Sequence, residues 1–364
     1  MPSNSSANSS ATKRIAVIPG DGIGTEVIRE AVKVLKAATS ITGTKLDFVQ
    51  FDWGADRYLR DGTTLPPDAV SMLRRDVDAI LFGAVGDPRV PSNKHAADIL
   101  LGLRAKLELY VNLRPVELIE AALTPLRDRG TNDINFVVVR ENTEGLYVGM
   151  GGQFQRGTPH EVAVQEDVNT RRGVERIIRY AFDYAREHHL GRVCMSDKSN
   201  ALTFGHELWL RVFSQVKDEY SDIESRHLYI DTLVMELVRD PGQFRVIVTC
   251  NLFGDILSDL GAQLAGGLGL APSGNIHPGR ISLFEPVHGS APTIAGRNLA
   301  NPCGAVLASA MMLDHLDLKP QAEALRKAVR AAVREKHTTA DLGGTLGTRE
   351  VGDWLADNVT KNLT

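Results

Sequence analysis

The chain has 364 residues, 43% of them apolar, enough to fill the cores of about two domains. A formal net charge of −4 argues against nucleic acid or a membrane surface as the main partner and leaves room for local basic pockets that take acidic small molecules. The three widely spaced cysteines, Cys194, Cys250 and Cys303, show no CxxC or Cys/His zinc spacing and read as free thiols in a reducing compartment; no apolar run reaches the roughly 18 residues of a membrane span.

The chain opens with MPSNSSANSSAT, rich in Ser and Asn and without the apolar stretch of a signal peptide. Residues 1–13 are therefore expected to be a disordered tail, and the protein cytoplasmic. IAVIPG (15–20), LDFVQF (46–51) and DAILFGA (78–84) read as strands, with helical spacing over 25–38 and 67–74 between them. The first strand runs into GDGIG, where Gly20, Gly22 and Gly24 suggest a dinucleotide loop. The spacing is one residue short of G-x-G-x-x-G, and Asp21 puts a carboxylate where a pyrophosphate would sit. The loop reads instead as a tight strand-to-helix turn, and any cofactor site must lie elsewhere.

LLGLRAKLELYVNLRPV (100–116) places Arg104 in an amphipathic helix and Arg114 just before Pro115; Arg140 closes the strand NFVVVR (135–140). One such arginine is more often a surface residue. Three beside apolar elements suit a small-molecule dicarboxylate gripped bidentately. Further strands are expected at EVAVQED (161–167), RVCMSD (192–197), HLYID (227–231) and FRVIVT (244–249), with helices around 169–188 and 203–220. Tyr147, in ENTEGLYVG, and Lys198, in SDKSNALT, have the chemistry of a general acid and a general base.

NLFGDILSDL (251–260) sets Asp255 and Asp259 four residues apart, on one face of a helix. A solvated acidic face would explain a bare pair. The apolar neighbours Leu252, Phe253, Ile256, Leu257 and Leu260 suggest partial burial, and a buried carboxylate pair suits a hard cation, Mg2+ or Mn2+ rather than zinc. Asp231, at the end of HLYID, is a plausible third ligand. The last third reads as mainly helical, with Gly/Pro/Asn-rich loops over 265–304. Within it, FEPVHGSAPTIAGRNLANP (284–302) gathers small residues whose free N–H groups can cradle an anion, making it a better cofactor loop than GDGIG. The alternation of elements gives an α/β protein with a large sheet.

GDGIG, LLGLR, NLRP, VRENTEG, NLFGDILSD and EPVHGSAP, in this order from about residue 14 to the end, resemble the motifs of the β-decarboxylating hydroxyacid dehydrogenases. That family includes isopropylmalate, isocitrate, homoisocitrate and tartrate dehydrogenases. The resemblance implies a two-domain α/β fold with a mixed sheet, not a Rossmann fold. One domain, on the cofactor side, would comprise 14–109 and 266–364; the other, 110–265, would carry substrate and dimer contacts. It further implies a homodimer whose active sites are completed by the partner subunit. By position, Arg104, Arg114 and Arg140 match the arginines that bind the malate carboxylates, and Tyr147 matches the general acid. Lys198, supplied from the other subunit, matches the residue assisting deprotonation. Asp231, also from the other subunit, Asp255 and Asp259 match the metal site. His288, Gly289, Ser290, Ala291 and Asn301 match the adenosine-side loop for NAD, with Thr293 and Ile294 at the positions that separate NAD from NADP users.

Leu100 and Leu101 resemble the paired leucines that contact the isopropyl group in isopropylmalate enzymes. The expected reaction is therefore NAD- and metal-dependent oxidative decarboxylation of 3-isopropylmalate to 4-methyl-2-oxopentanoate, a step of leucine biosynthesis. Two positions depart from the pattern: Ala97 stands where isopropylmalate enzymes usually carry Glu, and Thr293 where NAD users usually carry Asp. They leave tartrate, malate, homoisocitrate and other 3-alkylmalate dehydrogenases as alternatives. A non-catalytic regulatory subunit is the alternative from another class, and the presence of Tyr147, Lys198, Asp231, Asp255 and Asp259 weighs against it.

Overall fold

A computed structural model describes residues 12–363. The tail expected over 1–13 lies outside the described residues as far as residue 11, and Lys13 already opens the first strand. The chain begins β1 (Lys13–Gly20), α1 (Gly24–Thr42), β2 (Leu46–Gln50), α2 (Ala55–Asp61), α3 (Ala69–Asp76) and β3 (Ala79–Ala84). A helical stretch follows, made of α4 (Lys94–Ala96), a π turn (Ala97–Leu101) and α5 (Gly102–Lys106). The middle runs β4 (Val111–Glu117), β5 (Asn135–Glu141), β6 (Gly151–Phe154), β7 (Val162–Gln165), α6 (Arg171–Glu187), β8 (Arg192–Asp197), α7 (Gly205–Val216), β9 (Glu224–Tyr229), α8 (Ile230–Arg239), β10 (Val246–Thr249) and α9 (Asn251–Leu264). The last part holds β11 (Pro272–Ile276), β12 (Leu283–Pro286), α10 (Cys303–His315), α11 (Lys319–Arg334) and α12 (Thr348–Lys361).

Among the described residues, ten strands form one mixed sheet in the order β2-β1-β3-β12-β11-β4-β5-β10-β8-β9. The strands β2, β1, β3 and β12 are mutually parallel, as are β5, β10, β8 and β9. Between these blocks, β11 runs antiparallel to β12 and β4, and β4 antiparallel to β5. Helices cover both faces, and the strands sort their side chains with period two. Ile15, Val17 and Leu81 meet α1, α10, α11 and α12, whereas Ile18 and Phe82 turn to Trp53, Leu73, Ile99 and Leu103. In the other half Val137, Val139, Val246 and Val248 pack with α6 and α7, while Phe136, Val138 and Ile247 pack with Leu233, Leu237 and Leu257.

Three readings of the sequence change. The strand expected over 161–167 exists as β7, but it pairs with β6 in a separate exposed hairpin and not in the main sheet. The span 265–304, expected to be loops, contributes the central strands β11 and β12, and β4 is a further strand over 111–117. Pro115, Pro272 and Pro286 lack the N–H that a ladder uses, which hides these strands from local reasoning. Asp231 sits in the first turn of α8 rather than at a strand end.

The GDGIG turn is a staple between loops. Gly20 and Gly22 take left-handed φ angles of 72° and 53°. Asp21, 6% exposed, accepts hydrogen bonds from Ala55 N (2.6 Å), Gly86 N (2.8 Å) and His95 Nε2 (2.8 Å). Ile23 N donates to Ser290 O (2.8 Å), and a Cβ on Gly22 would stand 2.1 Å from that same oxygen. The turn is thus pressed directly against the 284–302 loop.

Candidate active site

Strand register places the arginines. On β4, Asn112 and Arg114 are two apart and share a face; Asn112 lies opposite Arg140 on β5. Helix α9 crosses above and presents Asn251, Asp255, Ser258 and Asp259. Arg140 donates through Nη1 to Asp255 Oδ1 (2.5 Å) and through Nε and Nη2 to Asn251 Oδ1 (3.1 and 2.6 Å). Gly254 lets the helix come this close, because a Cβ there would stand 2.5 Å from Arg140 Cγ. Arg114 Nη1 reaches Ser258 Oγ (2.6 Å), Asp255 Oδ1 (3.2 Å) and, at 3.9 Å, Asp259. Arg104 extends from α5 to Glu285 on β12, with Nη2 3.0 Å from Oε1. Tyr147 donates its hydroxyl to Asp255 Oδ2 (3.1 Å), and the Arg140 guanidinium lies 5.5 Å from its ring centre.

Burial and crowding set the charge states. Burial, with the neighbouring Arg114 and Arg104 charges, lowers the Arg140 guanidinium to about 9. Burial likewise lowers Arg114. Burial pushes the Asp255 carboxyl up, but Arg140 and Arg114 outweigh it and hold the group below the usual range. Asp259, with Arg114 more distant, is raised by burial and by the Asp255 charge. Burial and the Asp255 carboxylate also raise Tyr147, keeping it a protonated phenol at neutral pH.

Lys198 and Asp231 form a second group. Lys198 Nζ lies 2.8 Å from Asp231 Oδ2, and the lysine lowers that carboxyl. The turn after β8 is held by Lys198 N donating to His206 Nδ1 (2.9 Å) and by buried Asp197, which accepts from Ser199 N (3.0 Å) and His227 Nε2 (2.9 Å). Among the described residues this pair makes no hydrogen bond to the Asp255 group. One chain brings Arg104, Arg114, Arg140, Tyr147, Asp255 and Asp259 together, and pairs Lys198 with Asp231. No group of three or more His, Cys, Asp or Glu side chains is placed to hold a metal among the described residues. The donor set of Asp255 and Asp259 still fits Mg2+ or Mn2+, which take one or two carboxylates and complete their shells with water and substrate oxygens.

The 284–302 loop carries the other candidates. His288 Nδ1 lies 3.0 Å from Gly289 O, and its Nε2 is buried without a protein partner. Burial lowers this histidine, so the ring is neutral and the orphaned nitrogen is an acceptor waiting for a donor. A Cβ on Gly289 would meet nothing within 4 Å, leaving open space above the backbone. Ala291 adopts φ 39°. Asn301 is pinned by Asp341 (3.0 Å) and Cys303 N (3.0 Å). Thr293 is exposed, while Ile294 packs on the core beside α1. An orphaned ring acceptor beside open backbone fits the adenine side of a dinucleotide. Of the two leucines before Arg104, Leu100 packs against the Phe82 core, and half-buried Leu101 does not. Glu285, Asn251 and Ser258 were not anticipated as site residues. Asn251, Asp255 and Ser258 follow helical spacing and were findable; Glu285 is 181 residues from Arg104 and carries no local signal. A cavity of about 810 Å3, lined by residues such as Leu113, Tyr180 and Met311, lies on the sheet face that Leu113 shares, opposite to that of Arg114.

The family profile described as isocitrate/isopropylmalate dehydrogenase matches residues 14–355. A 3-isopropylmalate dehydrogenase from Thermobifida fusca is 48% identical, over 97% of this chain and 99% of its own. One from Corynebacterium kroppenstedtii is 47% identical, over 95% and 99%. Among solved structures, isocitrate dehydrogenase from Methylococcus capsulatus superposes with a TM-score of 0.86 at 36% identity, over 96% of this chain and 99% of that one. The chain belongs to the isocitrate/isopropylmalate dehydrogenase family and is an oxidoreductase that acts with decarboxylation.

Proposed function

We propose that the protein is a cytoplasmic homodimeric 3-isopropylmalate dehydrogenase, dependent on NAD and on Mg2+ or Mn2+, producing 4-methyl-2-oxopentanoate for leucine biosynthesis. The observation that carries this reading is the charge balance of the cleft. Arg104, Arg114 and Arg140 face Glu285, Asp255 and Asp259, three cations against three carboxylates. A malate-type dicarboxylate and a divalent cation together add no net charge, so both can enter without leaving an uncompensated charge in a half-buried site. Leu101, outside the apolar core, is available to an alkyl branch. The names of the relatives support the choice of isopropylmalate. No helix of the described residues is long and apolar enough to cross a membrane, which is consistent with the proposed location.

In this reading the three arginines bind and orient the substrate carboxylates, with Asp255 and Asp259 as metal ligands in one chain and Asp231 contributed by the other. A divalent ion held there would supply polarisation of the C2 oxygen, and a bound nicotinamide would supply the hydride acceptor. Lys198 of the second subunit takes the C2 hydroxyl proton, by way of its neighbour Asp231 or a water. Tyr147, a phenol at neutral pH, delivers a proton to carbon after CO2 leaves. His288, Gly289, Ser290, Ala291 and Asn301 hold the adenosine end of NAD, and Thr293 and Ile294 flank its ribose. The homodimer is supported by exposed apolar side chains: Met235 and Ile256 face outward from the contacting helices α8 and α9, and Phe154 and Val162 from the hairpin. The test is reduced-cofactor formation on isopropylmalate, malate, tartrate, isocitrate and homoisocitrate, with NAD or NADP, with Mn2+ or with chelator. The highest kcat/KM is expected for isopropylmalate with NAD and metal; a preference for tartrate or malate overturns the substrate, and undiminished turnover in chelator overturns the metal.

A further inference from the structure

Three asparagines form a buried chain across the middle of the sheet and end on the Arg104–Glu285 pair. Asn112 and Asn275 are fully buried and Asn142 is 3% exposed, although they stand on or beside three different strands. Asn275 Oδ1 accepts from Asn112 Nδ2 (3.0 Å) and from Asn142 Nδ2 (2.9 Å). Asn112 is tied in turn to Ser273 Oγ (2.9 Å), and Asn142 to Leu109 O (2.8 Å). Leu109 O pins the Asn142 amide, and this fixes which way Asn275 faces: turned over, its NH2 would oppose the Asn142 NH2 and its oxygen the Glu285 carboxylate. Its Nδ2 is thereby aimed at Glu285, donating to Oε1 at 2.7 Å. The same oxygen accepts Arg104 Nη2 at 3.0 Å. Arg104 and Glu285 are each about 5% exposed, and Arg104 Nε has no protein partner.

We propose that Asn275 is a positioning residue: through Glu285 it fixes the guanidinium of Arg104 for the substrate carboxylate. This rests on the reading of Arg104 as a substrate-binding residue. A carboxylate held by one arginine alone can swing with it. Anchored from behind by an amide that two further amides lock in place, Glu285 becomes a fixed post, and the arginine it holds presents the same edge to each arriving ligand. The chain also runs from β4 through β11 to β12, the antiparallel junction between the two parallel blocks, so the post is referenced to both halves of the sheet.

The experiment is a double-mutant cycle on the full enzyme with Asn275→Ala, Glu285→Gln and both together, reading KM and kcat for isopropylmalate and KM for NAD. Loss of a charge-assisted hydrogen bond predicts that Asn275→Ala raises KM for isopropylmalate about tenfold, with kcat and the KM for NAD changing much less. Adding it to Glu285→Gln should change the isopropylmalate KM less than about twofold, because the path runs through that carboxylate. Multiplicative effects in the double mutant, or equal changes in both KM values, assign Asn275 to general stability and overturn the proposal. If Asn275→Ala gives no folded protein, Asn275→Ser takes its place in the cycle, and failure of both to fold also overturns it. An inactive wild-type enzyme on the whole substrate panel would refute the functional reading instead, and is distinguishable from these outcomes.

Discussion

Asp21 accepts three hydrogen bonds from donors on three separate segments, with both carboxylate oxygens engaged. Removing it leaves Ala55 N, Gly86 N and His95 without an acceptor at a buried point. Asp21→Ala should cost about 3 kcal/mol, since one unsatisfied buried donor alone costs roughly 1–3 kcal/mol. Chemical denaturation measures this, and a loss under about 1 kcal/mol would mean that the turn is held by something else. Asp255 is the opposite case, a half-exposed carboxylate kept ionised by Arg140 and Arg114. Asp255→Asn keeps the shape and removes the charge. Groups that only orient metal ligands are worth about 10–100-fold in affinity, so loss of a ligand itself should weaken Mn2+ binding by at least about a hundredfold. Calorimetric titration of Mn2+ in the presence of substrate reads this directly; an unchanged affinity removes Asp255 from the metal site. The carboxylate inside GDGIG was legible in the sequence as a reason to doubt a phosphate loop. Its three partners were not, because they lie 34 to 74 residues away and meet it only once the loops are folded.

At the scale of elements, what could be read was what repeats locally. The apolar runs of β1, β3, β5 and β10 are continuous, and the strand assignment follows from them. β4 and β11 fail the same test. The sequence VNLRPVE carries Asn112, Arg114 and Pro115, and PSGNI carries Pro272, Ser273 and Asn275, so each looks like a loop by composition. They are strands because neighbours on both sides supply the ladder, and their polar residues are there because the face they share builds the site. β7 errs in the other direction: its alternation is genuine, but alternation says nothing about which partner a strand takes. The π turn over Ala97–Leu101 is similarly silent in sequence, and such turns concentrate at functional sites. It stands directly before Arg104 and sets how Leu100 and Leu101 face relative to it. Leu100 belongs to the core, so Leu101→Ala is the cleaner probe. It should lower kcat/KM for isopropylmalate by about tenfold or more while sparing malate, the discrimination expected for lost alkyl contact. Equal losses on the two substrates would show that Leu101 also serves the core.

At the scale of the whole molecule, the two groups pose a question that a mixing experiment answers: whether one chain or two build an active site. Tyr147 is bonded to Asp255, whereas Lys198 is paired with Asp231 on the loop after β8 and the start of α8. Exposed Met235 and Ile256 lie on α8 and α9, contacting helices that also carry Asp231, the partner of Lys198, and Asp255. A two-fold contact through such a surface is isologous, so each subunit would give its Lys198 to the other and receive one in return. Mixing two inactive variants tests this without any knowledge of the interface geometry. Tyr147→Phe and Lys198→Ala, unfolded together and refolded as an equal mixture, give half heterodimers if association is random. In a shared-site dimer, one site of each heterodimer has both defects and the other has neither. Activity should therefore return to about a quarter of the wild-type value, with homodimers of either variant contributing almost nothing. If each chain builds its own site, every site in the heterodimer keeps one defect and no activity returns. Recovery well above the sum of the separate variants supports the exchange of Lys198 between subunits; absence of recovery in a mixture shown by mass measurement to contain heterodimer refutes it.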